Sequence, residues 1–233
     1  MGNPRPELRI GGFVPLSGCD WPGELVATVF CQGCPWRCGY CHNTHLLQAD
    51  LPGEVTWRSV TEFLRQRIGL LDGVVFSGGE PTLQHGLAAA MRETRALGFR
   101  VGLHTAGPYP DRLNEVLALV DWVGFDVKAP FDDYPRLTGV PGSGERARES
   151  LLRLIASGLA YEVRTTVHPD LLDAATLRNL AGVLADLRVT HYVLQACRPA
   201  GWKDGDPAPG AAVSASFLPE PLRARFPNLT VRT

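Results

Sequence analysis

Short apolar runs alternate with segments of helical period along most of this chain. Residues 25–30 form an apolar, β-branched run that reads as a buried strand, after an opening stretch punctuated by Gly11, Gly12, Pro15, Pro22 and Gly23. A helix is predicted over 56–67, where Ser59 and Glu62 have the spacing of a capping box and Val60, Phe63 and Leu64 share one face. The alternation then repeats. Strands are predicted at 73–76, 100–103, 122–127, 161–167 and 191–195, and helices at 83–97, 111–119, 145–157 and 173–187. Two stretches break the rhythm, 129–144 and 199–210, and their proline and glycine content reads as surface loop. Residues 221–233 are expected to add a short helix and a last strand.

Six strand-then-helix steps favour a parallel α/β sheet curved into a partial (β/α)6 TIM-like barrel, with an open doubly wound sheet as the alternative. A complete eightfold barrel usually takes about 250 residues, and this chain has 233. One domain is expected, with its core over 24–198 and an extension over 199–233. Lys and Arg number 23 against 24 Asp and Glu, so no global field would draw the chain to nucleic acid or to an anionic membrane. No segment reaches the roughly 18 apolar residues of a membrane span, and the start lacks the pattern of a secretion signal. A cytoplasmic protein is expected.

In parallel sheets and barrels the working groups collect at the carboxyl ends of the strands, which share one rim. Here the polar clusters fall there. The first strand is followed by Cys31-Gln32-Gly33-Cys34-Pro35-Trp36-Arg37-Cys38-Gly39-Tyr40-Cys41, the second by Ser77-Gly78-Gly79-Glu80-Pro81, and the third by His104-Thr105. The fourth ends in Asp126-Val127-Lys128, the fifth in Thr166 and His168, and the sixth in Gln195.

Four of the six cysteines crowd into 31–41, with Cys19 and Cys197 apart, which is not the spread of a disulfide framework. A four-thiolate zinc site takes two close pairs well separated in sequence, and the three residues between Cys34 and Cys38 make that geometry awkward. Iron–sulfur clusters accept such short runs, because each cysteine reaches a different iron. Cys31, ending a buried strand, reads with Cys19 and Cys197 as a small core hydrophobe. Cys34, Cys38 and Cys41 would then hold a cubane with one iron open for a small molecule. The competing arrangement is a closed electron-transfer or structural cluster with Cys31 as its fourth ligand.

The octapeptide Cys34-Pro35-Trp36-Arg37-Cys38-Gly39-Tyr40-Cys41 resembles the signature of the radical S-adenosylmethionine (SAM) superfamily. With Cys41-His42-Asn43 and Gly78-Gly79-Glu80-Pro81, it is most similar to the activating enzymes of glycyl-radical proteins. Gly11-Gly12-Phe13-Val14-Pro15-Leu16-Ser17, Asp20-Trp21-Pro22-Gly23 and Gln32-Gly33-Cys34-Pro35-Trp36 look like the activating protein of anaerobic ribonucleoside-triphosphate reductase. The resemblance runs over 10–198.

It implies a [4Fe–4S] cluster on the three cysteines, with S-adenosyl-L-methionine bound to its open iron. One electron from a flavodoxin or ferredoxin would release a 5′-deoxyadenosyl radical, which takes a hydrogen from a glycine of the partner reductase. Tyr40 would lie over the adenine, or be a buried aromatic. Gly78 and Gly79 would let backbone approach the methionyl end, and Glu80 would accept from its amino group. Asp126 and Lys128 alternate on one strand face, where they would orient ribose and carboxylate or form an interior ion pair. Arg164 would pair with the carboxylate or stand as a solvated rim charge. Thr105 and His42 complete the candidates, while His168 reads as satisfied by backbone.

Some relatives carry an aspartate at the position of His104 that helps hold a monovalent cation, and some carry a histidine where Gln195-Ala196-Cys197 stand. No second cysteine cluster occurs in the sequence. The residues 129–144 and the cysteine loop are the expected docking face for the partner. Alternative assignments within the superfamily are a small-molecule enzyme similar to 7-carboxy-7-deazaguanine synthase and a pyruvate formate-lyase-type activase.

Overall fold

The computed structural model describes residues 7–168, 171–197 and 214–232. Eight strands form one sheet in chain order: β1 (Ile10–Ser17), β2 (Val26–Cys31), β3 (Gly73–Gly78), β4 (Arg100–Thr105), β5 (Trp122–Asp126), β6 (Ala160–Val167), β7 (His191–Ala196) and β8 (Asn228–Arg232). β1 runs antiparallel to β2, and every later pair is parallel. The helices are α1 (Trp57–Arg65), α2 (Leu87–Ala96), α3 (Pro110–Leu117), α4 (Tyr134–Thr138), α5 (Ser143–Ser157), α6 (Ala174–Asp186) and α7 (Glu220–Arg223).

This order decides between the two predicted architectures. Right-handed crossovers between strands that are immediate neighbours put every helix on the same face of the sheet. A doubly wound sheet needs a reversal of strand order, and none occurs among the described strands. The face without helices must be covered by curling, which makes it the lumen of a partial barrel with β1 and β8 as its edges.

Side-chain alternation sorts the core accordingly. Ala27, Val29, Val74, Phe76, Val101, Leu103, Val123, Phe125 and Leu194 pack in the main cluster against the helices. Val26, Val75 and Trp122 point the other way and gather around Trp21. Trp21, from the β1–β2 connection, stacks on Trp122 with ring centroids 5.5 Å apart and plugs the lower lumen.

Several elements differ from the sequence reading. Gly11, Gly12 and Pro15 of the stretch before β2 lie in strand β1; register breaks between Ile10 and Gly12 and between Val14 and Ser17 accommodate them at a sheet edge. α1 is capped by Thr56, whose hydroxyl accepts from the Ser59 N–H at 3.2 Å, so Ser59 and Glu62 lie inside the helix and form no capping box. α2 starts at Leu87, because Pro81–Leu83 form a 3₁₀ turn capped by Glu80. The predicted loop 129–144 is largely helical: a 3₁₀ turn at Phe131–Asp133, then α4, then the start of α5. Tyr134 gives it a core anchor, fully buried and edge-on to Trp36 at 5.7 Å. The closing helix and strand form as expected, as α7 and β8, so that the last strand adds a seventh parallel strand to the six strand-then-helix steps, and the loop at 199–210 lies outside the described residues. Among the described residues no helix is long and apolar enough to cross a membrane.

Candidate functional site

A cavity of about 270 Å³ opens at the carboxyl ends of β2 to β7. Cys34, Cys38, Tyr40, Cys41 and His42 line it from the loop after β2, Gly78, Gly79 and Glu80 from the end of β3, Thr105 from β4, Asp126 from the end of β5, Lys128 just past it, and Arg164 from β6. The structure thus brings all twelve candidate residues around one space. Asn43, Ser77, His104, Thr166 and Gln195 line it as well.

The cysteine loop is docked onto the β3 exit by backbone. The Gly79 N–H donates to the Cys31 carbonyl at 2.9 Å, and the Glu80 N–H donates to that of Gly33 at 2.9 Å. A Cβ on Gly78 would stand 2.3 Å from the Cys31 nitrogen, and one on Gly79 would stand 2.3 Å from the Gly33 oxygen. The space left by the missing side chains is therefore filled by the cysteine loop. This is a firmer reason for glycine than the cofactor approach expected from the sequence. Gln32 pins the far side of the loop by donating to the His45 and Gln48 carbonyls at 3.1 and 2.8 Å. The Arg37 N–H donates to Thr138 of α4 at 3.0 Å, and its guanidinium donates to the Cys34 carbonyl at 2.6 Å.

All six cysteines are free thiols, and Cys34, Cys38 and Cys41 are half-buried. Burial, the largest influence, pushes the Cys34 thiol up to about 12 and raises Cys38. Such thiols ionise only when a metal centre compensates the charge. Among the described residues no three His, Cys, Asp or Glu side chains converge to hold a single metal ion. Cys31 is fully buried in the helix-facing core and does not line the cavity.

Glu80 is buried and its carboxylate is already well partnered. Oε1 accepts from Thr82 N at 3.0 Å, Thr82 Oγ1 at 2.6 Å and Thr105 Oγ1 at 2.7 Å, and Oε2 accepts from Ala106 N at 3.0 Å. Burial still outweighs these bonds and raises its pKa. Thr105 Oγ1 also accepts from the Gly107 N–H at 3.0 Å, so Glu80 and Thr105 clasp the ends of β3 and β4 together. Any ligand donor would find acceptor capacity at Oε2.

At the end of β5, Asp126 accepts from Arg164 Nε at 2.9 Å, while Lys128 Nζ stands 4.0 Å from Asp126. Burial pushes the Asp126 carboxyl up, but Arg164 and then Lys128 more than reverse this and hold it below the usual carboxylate range. Burial alone would depress the Lys128 ammonium, yet Tyr40, Asp126 and Cys38 raise it well above the lysine range. Arg164 is buried, which excludes the solvated rim charge. Tyr40 has a buried hydroxyl with no hydrogen-bond partner, and burial pushes its pKa up to about 12. Its ring lies 5.8 Å from Lys128 Nζ and 6.2 Å from the His168 ring.

His104 is held on three sides. Its Nε2 is 2.7 Å from the Asp20 carbonyl oxygen, which can only accept, so that nitrogen carries the proton and Nδ1 accepts from Ser77 Oγ at 3.1 Å. Burial, and next the charge of Arg164, lower its pKa to about 3 and keep the ring neutral. The Asp20 contact spans 84 residues and has no signature in the sequence. Thr166 accepts from the Gln195 side-chain amide at 2.7 Å; it shares a strand face with Arg164, so alternation on β6 identifies it. Cys197 Sγ lies 3.9 Å from His42 Nε2.

Known proteins match this architecture and this residue set. The crystal structure of QueE from Escherichia coli superposes with a TM-score of 0.55 at 18% identity, covering 82% of this chain and 84% of that one, a likeness of fold. A Methanocaldococcus jannaschii protein named as a glycyl-radical enzyme activating enzyme is 31% identical over 201 residues, covering 83% of this chain and 81% of the relative. The pyruvate formate-lyase-activating enzyme of Clostridium pasteurianum is 30% identical over 193 residues, 79% of each chain. The sequence pattern of the Radical SAM superfamily matches residues 28–180. The chain therefore belongs to the radical SAM superfamily, whose members use a [4Fe–4S] cluster and S-adenosylmethionine, and its homologues include proteins named as activating enzymes of glycyl-radical enzymes.

Proposed function

We propose that this chain is the activating enzyme of an anaerobic ribonucleoside-triphosphate reductase, forming a glycyl radical on that partner with an electron from a flavodoxin or ferredoxin. The observation that carries the reading is the sharing of one rim cavity by three half-buried thiols, the orphaned Tyr40 hydroxyl and the loosely paired Lys128 ammonium. These groups fit both cofactors. Cys34, Cys38 and Cys41 would hold the cluster, and the absence of Cys31 from the cavity favours the open-iron arrangement over a closed one. The Tyr40 hydroxyl and ring, Glu80 Oε2 and the Asp126–Lys128 pair, which line the same cavity, would bind and orient S-adenosylmethionine. The bound cluster would supply the electron that splits the cofactor's carbon–sulfur bond and releases a 5′-deoxyadenosyl radical. The chain's own part is to fix the reacting atoms and exclude water, with little acid–base chemistry.

The choice of reductase rests on the likeness of residues 11–17, 20–23 and 32–36 to that group of activases. The identity to a pyruvate formate-lyase-activating enzyme favours a second reading, a formate-lyase-type partner. The test is oxygen-free reconstitution with iron and sulfide, then reduction with SAM and each candidate partner, read by electron spin resonance. A glycyl signal with the ribonucleotide reductase alone supports the proposal. Signal with pyruvate formate-lyase alone favours the second reading, and 5′-deoxyadenosine without any protein radical moves the assignment to a small-molecule substrate.

A further inference from the structure

At the floor of the cavity, where it meets the lumen, Arg164 has a different task from the cofactor contact expected of it. Its side chain is engaged inside the barrel: Nε donates to Asp126 Oδ1 at 2.9 Å, Nη2 donates to the Gly124 carbonyl at 3.3 Å, and Nη1 lies 3.1 Å from His104 Nε2. Because that histidine nitrogen carries a proton toward Asp20, it offers Nη1 no lone pair. The ring is a neutral wall behind the guanidinium. A Cβ on Gly124 would stand 2.7 Å from Nη1 and 2.9 Å from His104 Cδ2, so Arg164 occupies the room a side chain there would take.

The charges then add up unevenly. Asp126 has a direct, hydrogen-bonded cation below it in Arg164, and meets Lys128 only at 4.0 Å. One negative and two positive groups leave a net positive charge, and Lys128 presents it to the cavity. Without Arg164, the strongest partner left to the Asp126 carboxylate would be the Lys128 ammonium itself, two residues further along and 4.0 Å away.

We propose that Arg164 is a positioning residue: it holds Asp126 from below, so that the Lys128 ammonium stays available to the carboxylate of bound S-adenosylmethionine. The inference rests on the reading that this cavity holds that cofactor.

The test is a double-mutant cycle on SAM affinity, measured by equilibrium dialysis on cluster-loaded, unreduced enzyme so that turnover plays no part. Arg164→Met should weaken SAM binding by roughly tenfold, the size of one coupled polar contact. In the Asp126→Asn background the same substitution should change affinity by less than about twofold, because the charge it serves is gone. An equal loss in both backgrounds would show that Arg164 touches the cofactor, and no loss in either would show that it positions nothing; both outcomes overturn the proposal. Gly124→Ala is the companion variant if Arg164→Met does not fold. It keeps every charge but displaces the guanidinium, and it should weaken binding when Asp126 is intact and leave it unchanged in the Asp126→Asn background; any other pattern counts against the proposal. Failure of the unmodified, cluster-loaded enzyme to bind SAM would instead remove the reading of the cavity, and the inference with it.

Discussion

Lowering the pH from 7 to 5 should remove a contribution of His104 to the protein's stability, by an amount the lumen geometry sets. In the unfolded chain the imidazole titrates near 6.5, whereas burial and the neighbouring Arg164 hold it at about 3 in the fold. Because the folded value is depressed, the contribution is intact above 6.5 and is lost as the pH falls toward 3, where the unfolded chain takes up a proton that the folded chain refuses. Integrating this one-proton difference gives about 2 kcal/mol lost between pH 7 and pH 5. His104→Gln keeps an amide donor for the Asp20 carbonyl but does not titrate. The variant should lose about 1 kcal/mol at pH 7 through imperfect packing, yet its stability should fall by about 2 kcal/mol less than the parent's on going to pH 5. Urea unfolding under oxygen-free conditions measures both, with tryptophan fluorescence as a local reporter, since Trp122 lies 5.6 Å from His104 and stacks on Trp21. Parent and variant losing stability in parallel would mean that the folded imidazole titrates normally. That result would refute the argument that a protonated Nε2 and a neutral ring fill the lumen.

Other substitutions separate structural from functional roles. Cys34→Ala, Cys38→Ala and Cys41→Ala should each abolish cluster loading, while Cys31→Ala should retain it and lose only about 1 kcal/mol of core packing; iron and sulfide content with thermal unfolding reads the difference. Gly79→Ala drives a methyl group against the Gly33 carbonyl, so it should destabilise by about 1–3 kcal/mol and reduce cluster content by unseating the cysteine loop. Tyr40→Phe removes a buried hydroxyl that lacks a partner, so the protein without SAM should be unchanged or slightly more stable, by up to about 1 kcal/mol. The same variant should bind SAM roughly threefold to tenfold more weakly if the hydroxyl meets the cofactor, as isothermal titration would show.

Much of the fold and site is legible in the sequence because it depends on short-range pattern. β2 to β7 announce themselves as apolar runs, the rim rule follows from parallel strands, and alternation carried from β5 past its end places Asp126 and Lys128 on one face. What is not legible depends on distant partners. β1 carries Gly and Pro that read as loop, and it pairs as a strand only because β2 offers an edge and the bulges absorb the mismatch. α4 is short and carries Pro135 as its second residue, and it is helical because Tyr134 anchors it beneath the cysteine loop. Gly78 and Gly79 stand out in the sequence as special positions, but their constraint comes from Cys31 and Gly33, more than forty residues earlier.

The lumen explains why site and fold are hard to separate in this protein. A sheet wound in chain order leaves an interior that side chains must fill, and here the filling changes character along the axis. At the bottom it is apolar, with Trp21, Val26, Val75 and Trp122 packed together. One layer up, register aligns His104 with Gly124 and Gly124 with Glu162, and each polar group is closed by a long-range partner. Glu162 is nearly fully buried yet receives both Nη groups of Arg232, at 2.7 and 2.6 Å, from the last strand. The layer above pairs Asp126 with Arg164 and ends at the cavity. Each buried charge below the cavity is thereby satisfied by protein, as burial demands. Among the described charges that line the cavity, the one left loosely partnered is Lys128, at the top, where a ligand can reach it. The plug, the neutral histidine and the paired arginines thus perform one task at successive levels, which is to settle the interior's polar obligations so that one ammonium is left to face the cavity.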